Sequence, residues 1–425
     1  MNNNDRPTRR GAAYLIALLA GTIVTVTGLS ALSMATSRAK ETILTDQSAE
    51  ARLLAQSAFE HGLGALSAHM DAGGTRADLT ASFSKAGTLN NGQLEWSISE
   101  LDGSTINNVD GPIVLTAKAD SGQATHVIKG ILPPSGDPYD TLATAMYVGG
   151  ELSTGTSASV TADKTVGAIG NVTATGSTIN APVESSGTVG GTLFLGSTIS
   201  GADERPMPDD SLFNYYIAQG EEISMISLPF TTSTRRLEDV LLSPSSNPFG
   251  STNELGIYII DVGGARLHIR NVRVVGTLVL LNATPDLVFG AGALIEPAFP
   301  WMPSVLVQGD ATFVGTSAGP SELASDVNFN PSHTPYNFES DDDKLDAYPG
   351  RIEGLSYVSG NATFSQPGQT LLGTIIIGGD ARVAVSAAVD ITYDPAVAHL
   401  PPFGLFDDTE GELAIDPSTI AWELP

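Results

Sequence analysis

The chain has 425 residues, with 47 acidic against 20 basic and a formal charge of −27, which sets aside nucleic-acid binding because contact with a phosphate backbone needs clustered Lys and Arg. It has no Cys, so disulfides are excluded and stability rests on burial and hydrogen bonding. Aromatics are scarce at 6%, and the many Gly, Ser, Thr, Val and Ala residues describe short strands and tight turns on an acidic, solvated surface.

Residues 1–10 form a short basic tail. Gly11 to Met34 then runs without a charge, long enough to cross a bilayer as one helix, which needs about 20 apolar residues. Arg6, Arg9 and Arg10 precede it and only Asp5 opposes them, a bias that keeps the N-terminus cytoplasmic and sends the bulk outward. A cleaved secretory signal ending at Ser33-Met34-Ala35 is the alternative, although such a signal has a shorter apolar core. Within the 11–34 transmembrane segment, Gly21 and Gly28 share a face with Ala17 and Thr25 nearby, small residues that let helices approach closely in lipid.

Residues 35–72 continue the helix outside the membrane. Ile43, Leu44, Ala51, Leu54, Ala58, Leu66 and Met70 form a broad apolar stripe, which needs a domain or neighbouring subunits to cover it. Gly73-Gly74 ends the helix. In residues 73–138, the alternating runs Gln93–Glu100, Ile113–Ala119 and Ala124–Gly130 predict a small antiparallel sheet packed on the helix. Ser135–Pro138 reads as a linker.

Residues 139–202 change character. Ala145–Gly150, Ala158–Ala162, Val166–Ala174 and Gly190–Gly196 are short apolar runs closed by Gly, Asn or a polar turn. This pattern predicts an irregular β-solenoid, right-handed β-helix-like, in which each coil buries an inward row on its neighbours. A β-sandwich is the alternative. Residues 203–250 form an insertion with a short helix at Leu212–Ala218 after Asp209-Asp210-Ser211. The second solenoid part spans 251–400, with Val272–Leu281 as its deepest core and a polar loop at 320–350. That loop contains Asp341-Asp342-Asp343, hard-oxygen ligands without the alternating acidic spacing of a calcium loop, and reads as a solvated acidic loop. Residues 401–425 are a tail or cap. The expected fold class is thus α+β, mostly β.

Two stretches resemble a known family. Arg10–Leu15 with the apolar run, followed by Leu54–Leu63, resembles the N-terminal region of minor pilins of the type IV pilus assembly protein PilX kind. Gly354–Phe403, with Tyr357–Gly360, Gly378-Gly379-Asp380 and Thr392–Pro395 ahead of Pro401-Pro402, is similar to the β-rich domain often joined to that N-terminus. The resemblance implies processing and orientation at Arg10, Gly11 and Ala12, and a helix-to-head junction near Glu60 and Gly62. If cleavage follows Gly11, the fifth mature residue is Ile16 where typical major pilins carry Glu. That departure suits a filament tip or a primer better than the middle of a filament.

The function expected is a structural minor pilin or pseudopilin-like component of a type IV pilus or related secretion filament. Its partners would be other pilin or pseudopilin subunits, inner-membrane assembly proteins and membrane lipid. Its location would be the bacterial inner membrane, single-pass, and a surface filament after assembly. A surface adhesin is one alternative, with Tyr215, Tyr216, Trp301 and Tyr336 as glycan contacts; a permanently anchored, polymerising envelope protein is another. An enzyme is not expected. Asp261, Asp390 and Asp394 have no partner by motif, His126, His268, His333 and His399 are scattered, and neither G-x-S-x-G nor H-E-x-x-H occurs. No catalytic residue, cofactor or metal site is assigned.

Overall fold

The computed structural model describes residues 10–72, 74, 78–79, 83–89, 92–100, 106, 113–132, 134–191, 193–315, 318–413 and 421–423; for 10–31, 134–136, 407–413 and 421–423 the description is of backbone alone. Helix α1 (Arg10–Asp71) runs unbroken, since no Pro interrupts it. At 1.5 Å per residue it is about 93 Å long.

The C-terminal part of α1 lies on an antiparallel sheet of strands β1 (Ser84–Leu89), β2 (Gly92–Glu100), β3 (Ile113–Ser121) and β4 (Ala124–Leu132). Ala51, Leu54, Ala55, Ala58, Phe59 and Leu66 recur at helical spacing and are buried. Trp96, Ile98, Ile113, Leu115, Ala117 and Leu132 face them from the sheet. Each fully buried Leu or Phe in such a contact contributes about 1.5–3 kcal/mol. The segment Ala421–Glu423 pairs antiparallel with β4. Pro134–Pro138 (β5), where the sequence suggests a linker, pairs with residues 406–413.

The membrane topology expected from the sequence is corrected here. Among the described residues, no helix is long and apolar enough to cross a membrane. The side chains of residues 11–31, most of the segment assigned to the bilayer, lie outside the described residues. Where its side chains are first described, from Leu32 onward, α1 is a water-facing rod carrying Arg38, Lys40 and Glu41. The single-pass inner-membrane location and the transmembrane keyword are not supported.

The expectation of an irregular open solenoid in two successive parts, and its β-sandwich alternative, are also corrected. Among the described residues, twenty-four strands form a single sheet, parallel except where Phe230–Thr231 turns back on Thr234-Arg235. The strands wrap round a shared core, a nearly closed parallel barrel. Their order in space does not follow the chain. From β6 (Met146–Val148), β7 (Leu152–Thr154) and β8 (Ser159–Ala162), the chain builds outward to Thr198–Ser200. It resumes at the opposite end with Glu221-Glu222 beside Tyr258-Ile259. From there it returns strand by strand until Ile375–Ile377 pairs with β6, Ala381–Val383 with β7 and Ala388–Ile391 with β8. Short strands with Gly and Asn corners satisfy local rules in either arrangement; long-range pairing decides between them.

Inside, aligned strands put like side chains on top of one another. Phe289, Phe313 and Phe364 pair in register and stack with ring centroids 5.0 Å apart at each step. At one corner, side-chain oxygens of one layer accept from backbone N–H groups of the next: Asn361 N donates to Asp310 at 2.6 Å, Asp380 N to Asn361 at 2.8 Å, and Glu151 N to Asp380 at 2.8 Å. The last of these joins residues 229 apart in sequence. A second cluster, including Leu212, Phe213, Tyr216, Trp301 and the strand residue Tyr357, packs on the outer face of the sheet and takes in Val114 and Ile131 of the small sheet.

Replacing Asp380 with Ala removes an acceptor at the point where the last part of the chain meets the first within the sheet. Asp380→Ala is expected to lower unfolding free energy by about 1.5–3 kcal/mol, the range for a hydrogen bond to a charged group. Chemical denaturation checks this, and an unchanged midpoint would show that the corner contributes nothing.

Candidate functional site

The helix α1 lives in two environments. From residue 51 onward one side of it is covered by the sheet, whereas residues 32–46 are exposed throughout. Two contacts mark where cover begins: Ser121 Oγ donates to Glu50 Oε2 at 2.7 Å, and Gln123 N donates to Gln47 Oε1 at 3.2 Å. Both come from the β3–β4 turn. The part of α1 before Gln47 extends about 55 Å from Arg10.

The uncovered stretch is not uniformly polar. Leu32, Ala35, Ala39 and Ile43 recur at spacings of three and four and are exposed, with Leu32 at 63% and Ile43 at 55%. This places an apolar, largely small-residue stripe on one side of the rod. A further shallow groove is lined by Leu44, Ala49, Arg52, Leu53 and Gln56. A helix surface of this kind accepts another helix, because small residues let the backbones approach while the larger ones supply buried area.

The junction residues named from the sequence divide. Glu60 is exposed and faces away from the sheet. Gly62 is buried, and a Cβ there would lie 2.8 Å from Leu115 Cδ1 and 3.3 Å from Trp96. It is a point of close approach between helix and sheet. Beside it, Trp96 Nε1 donates to His61 Nδ1 at 3.1 Å, a contact that sequence reasoning missed. Arg10, Gly11, Ala12, Ala17, Gly21, Thr25 and Gly28 fall in helical backbone, but their side chains lie outside the described residues. The stripe from Leu32 to Ile43 was also missed; its signal is the three-and-four spacing, which straddles the boundary drawn at Met34.

The other sequence candidates do not converge on a site. Tyr215, Tyr216 and Trp301 are core residues, 8%, 0% and 2% exposed, and Trp301 stacks on Phe299 at 5.3 Å. Tyr336 stands edge-on to Tyr348. Asp261 accepts from Gly263 N and Asn282 Nδ2, and Asp394 accepts from Ala396 N, so both serve turns. His268 is held below its ordinary range by burial and then by Arg236, Arg270 and Arg266.

No protein-family model matches the chain, and no curated protein matches it. Among solved structures, it is similar to the competence-associated pilin ComZ from Thermus thermophilus. Identity is 10% and the TM-score 0.30, over 80% of this chain and 87% of that one. These comparisons do not show the PilX-like family for this chain.

Substitution at Gly62 tests the close approach. Gly62→Ala is expected to be nearly neutral, because a gain of about 1 kcal/mol in helix propensity offsets a small shift of Leu115. Gly62→Leu is expected to cost about 1–3 kcal/mol through overpacking. Thermal and denaturant unfolding of the two variants check the pair. Equal effects would mean that the helix is not seated on Leu115.

Proposed function

We propose that the chain is a pilin-like structural subunit, a minor component of a type IV pilus or related secretion filament, joined to its neighbours through the projecting part of α1. The observation that carries this reading is the exposed stripe from Leu32 to Ile43 on a helix whose other end is seated in a head. A helix exposed on all sides over residues 32–46, with an apolar stripe along it, gains by packing that stripe against another helix. The bulk of the head supports a tip or priming position, since a large body beside the rod crowds the lateral packing of copies. Its partners in this reading are other pilin or pseudopilin subunits and the assembly proteins that handle them.

The role is structural rather than catalytic in this reading. The adhesin alternative loses three of its four named contacts, because Tyr215, Tyr216 and Trp301 are in the core.

The test is assembly. Leu32→Glu combined with Ile43→Glu places charge on the stripe without touching the seated half of the helix. The wild-type chain is expected to cross-link to other filament subunits in cells and to appear in the sheared surface fraction. The double variant is expected to lose both signals while its circular dichroism and melting temperature stay unchanged. Retention of cross-linking in the variant would refute helix-mediated assembly.

A further inference from the structure

The loop running from Ser321 to Tyr348 is fastened to the sheet at one side by Arg273, a charged residue only 2% exposed. Its guanidinium pairs with Glu296 at 2.5 Å and donates to the carbonyls of Phe329, Thr334 and Pro335. The loop covers an apolar cluster of Leu241, Leu294, Phe329 and Tyr348. On its other side lies a group of oxygens that these contacts do not use.

Glu322 is fully buried. Its Oε1 accepts from Phe329 N at 2.6 Å and from the Tyr348 hydroxyl at 2.8 Å, and its Oε2 accepts from Asp346 N at 3.1 Å. All three donors are neutral. A buried carboxylate is ordinarily paired with a cation or coordinates a metal, and the nearby cations are committed elsewhere: Arg273 to Glu296, and Lys344 to Asp326 at 3.1 Å. Asp341 and Asp343 come to the same place from the exposed side. One carboxylate oxygen from each of Glu322, Asp341 and Asp343 lies within 4.8 Å of the others. Two oxygens on one calcium ion, at 2.3–2.6 Å each, stand at most about 5 Å apart.

The second observation is Asn330, which is 4% exposed. Its backbone carbonyl accepts from Asp341 N, and its Nδ2 donates to Asp346 Oδ2 at 3.2 Å. The side-chain amide is thereby held between the two acidic segments. Its Oδ1 is buried and has no hydrogen-bond partner, a hard neutral oxygen on the residue that already contacts Asp341 and Asp346.

We propose that Glu322, Asp341, Asp343 and the Oδ1 of Asn330 form a binding site for a calcium-class divalent cation that closes the outer side of the 321–348 loop. Three carboxylates and an amide oxygen on an irregular loop suit the flexible, oxygen-only coordination of Ca²⁺. Mg²⁺ demands near-ideal octahedral geometry and retains its waters. The adjacent run Asp341-Asp342-Asp343 is not itself the site; its first and third members meet a buried Glu from nineteen residues earlier.

The experiment is calorimetric titration of the full-length, metal-stripped chain with CaCl₂, with terbium luminescence sensitised by Tyr336 and Tyr348 as a second readout. One saturable site is expected, and added calcium should raise the melting temperature by mass action. Asp341→Asn combined with Asp343→Asn changes only exposed carboxylates, so the fold is retained. This variant is expected to weaken binding by about 10–100-fold and to lose the thermal response, and Asn330→Ala to weaken it in the same direction. Absence of saturable uptake up to millimolar calcium, an undiminished response in the double variant, or equal affinity for magnesium would each overturn the proposal.

Discussion

The parallel pairing of Ile375–Ile377 with Met146–Val148 is the contact on which the β region depends. Without it, the strand at 146–148 would be an edge, with its backbone groups free on one side and a row of buried residues uncovered. The strand is already paired on its other side with Val166–Ala168. Everything before it in space comes from the first part of the chain, and everything after it from the last. Closing a loop of that length costs conformational entropy before any contact rewards it. The reward is distributed: Leu152 meets Ala381, Val160 meets Val389, and Asp380 accepts from Glu151 across the same boundary. A fault at this joint exposes two edges at once.

The helix obeys a different constraint. Its seated half is fixed by size, with Gly62 permitting the approach of Leu115 and Trp96 where a larger residue would hold the sheet away. Its free half has no such partner among the described residues, and keeps an apolar side. The contrast gives α1 one covered stretch from residue 51 onward and one uncovered stretch over residues 32–46. The functional reading above rests on this asymmetry rather than on any pocket.

Charge inside the protein is concentrated around one loop. Arg273 lies in the strand Leu267–Val275, between Val272 and Val274, both fully buried, and its side chain is turned out of the barrel core toward the loop carbonyls. Burial holds Glu296 above its ordinary range, while Arg273 pulls it down. A buried pair of this kind is a poor source of net stability but a strong source of specificity, since removing one partner strands the other. It ties an otherwise irregular segment to a single place on the sheet.

Much of this was legible in the residues. The three-and-four recurrence of Ala51, Leu54, Ala58 and Leu66 identifies a helix with a covered side, and the alternation of Leu94, Trp96 and Ile98 identifies the sheet beneath it, because both periods are local. Short runs such as Leu287–Phe289 and Ala311–Phe313 declare themselves as strands for the same reason. The apolar composition of Val272–Leu281 correctly marks core but conceals that Arg273 is buried there too. Burial of a charge depends on partners from residues 296 and 329–335, which no local window contains. Glu322 and Asn330 were invisible for that reason, and the acidic run beside them looked merely solvated. The sequence by itself determined where helix and strands form, since propensity and periodicity act within a few residues. Only the tertiary structure decided that the last strands return to pair with the first, which side of α1 stays open, and which oxygens converge, because those outcomes are set by pairing energies between segments far apart in the chain.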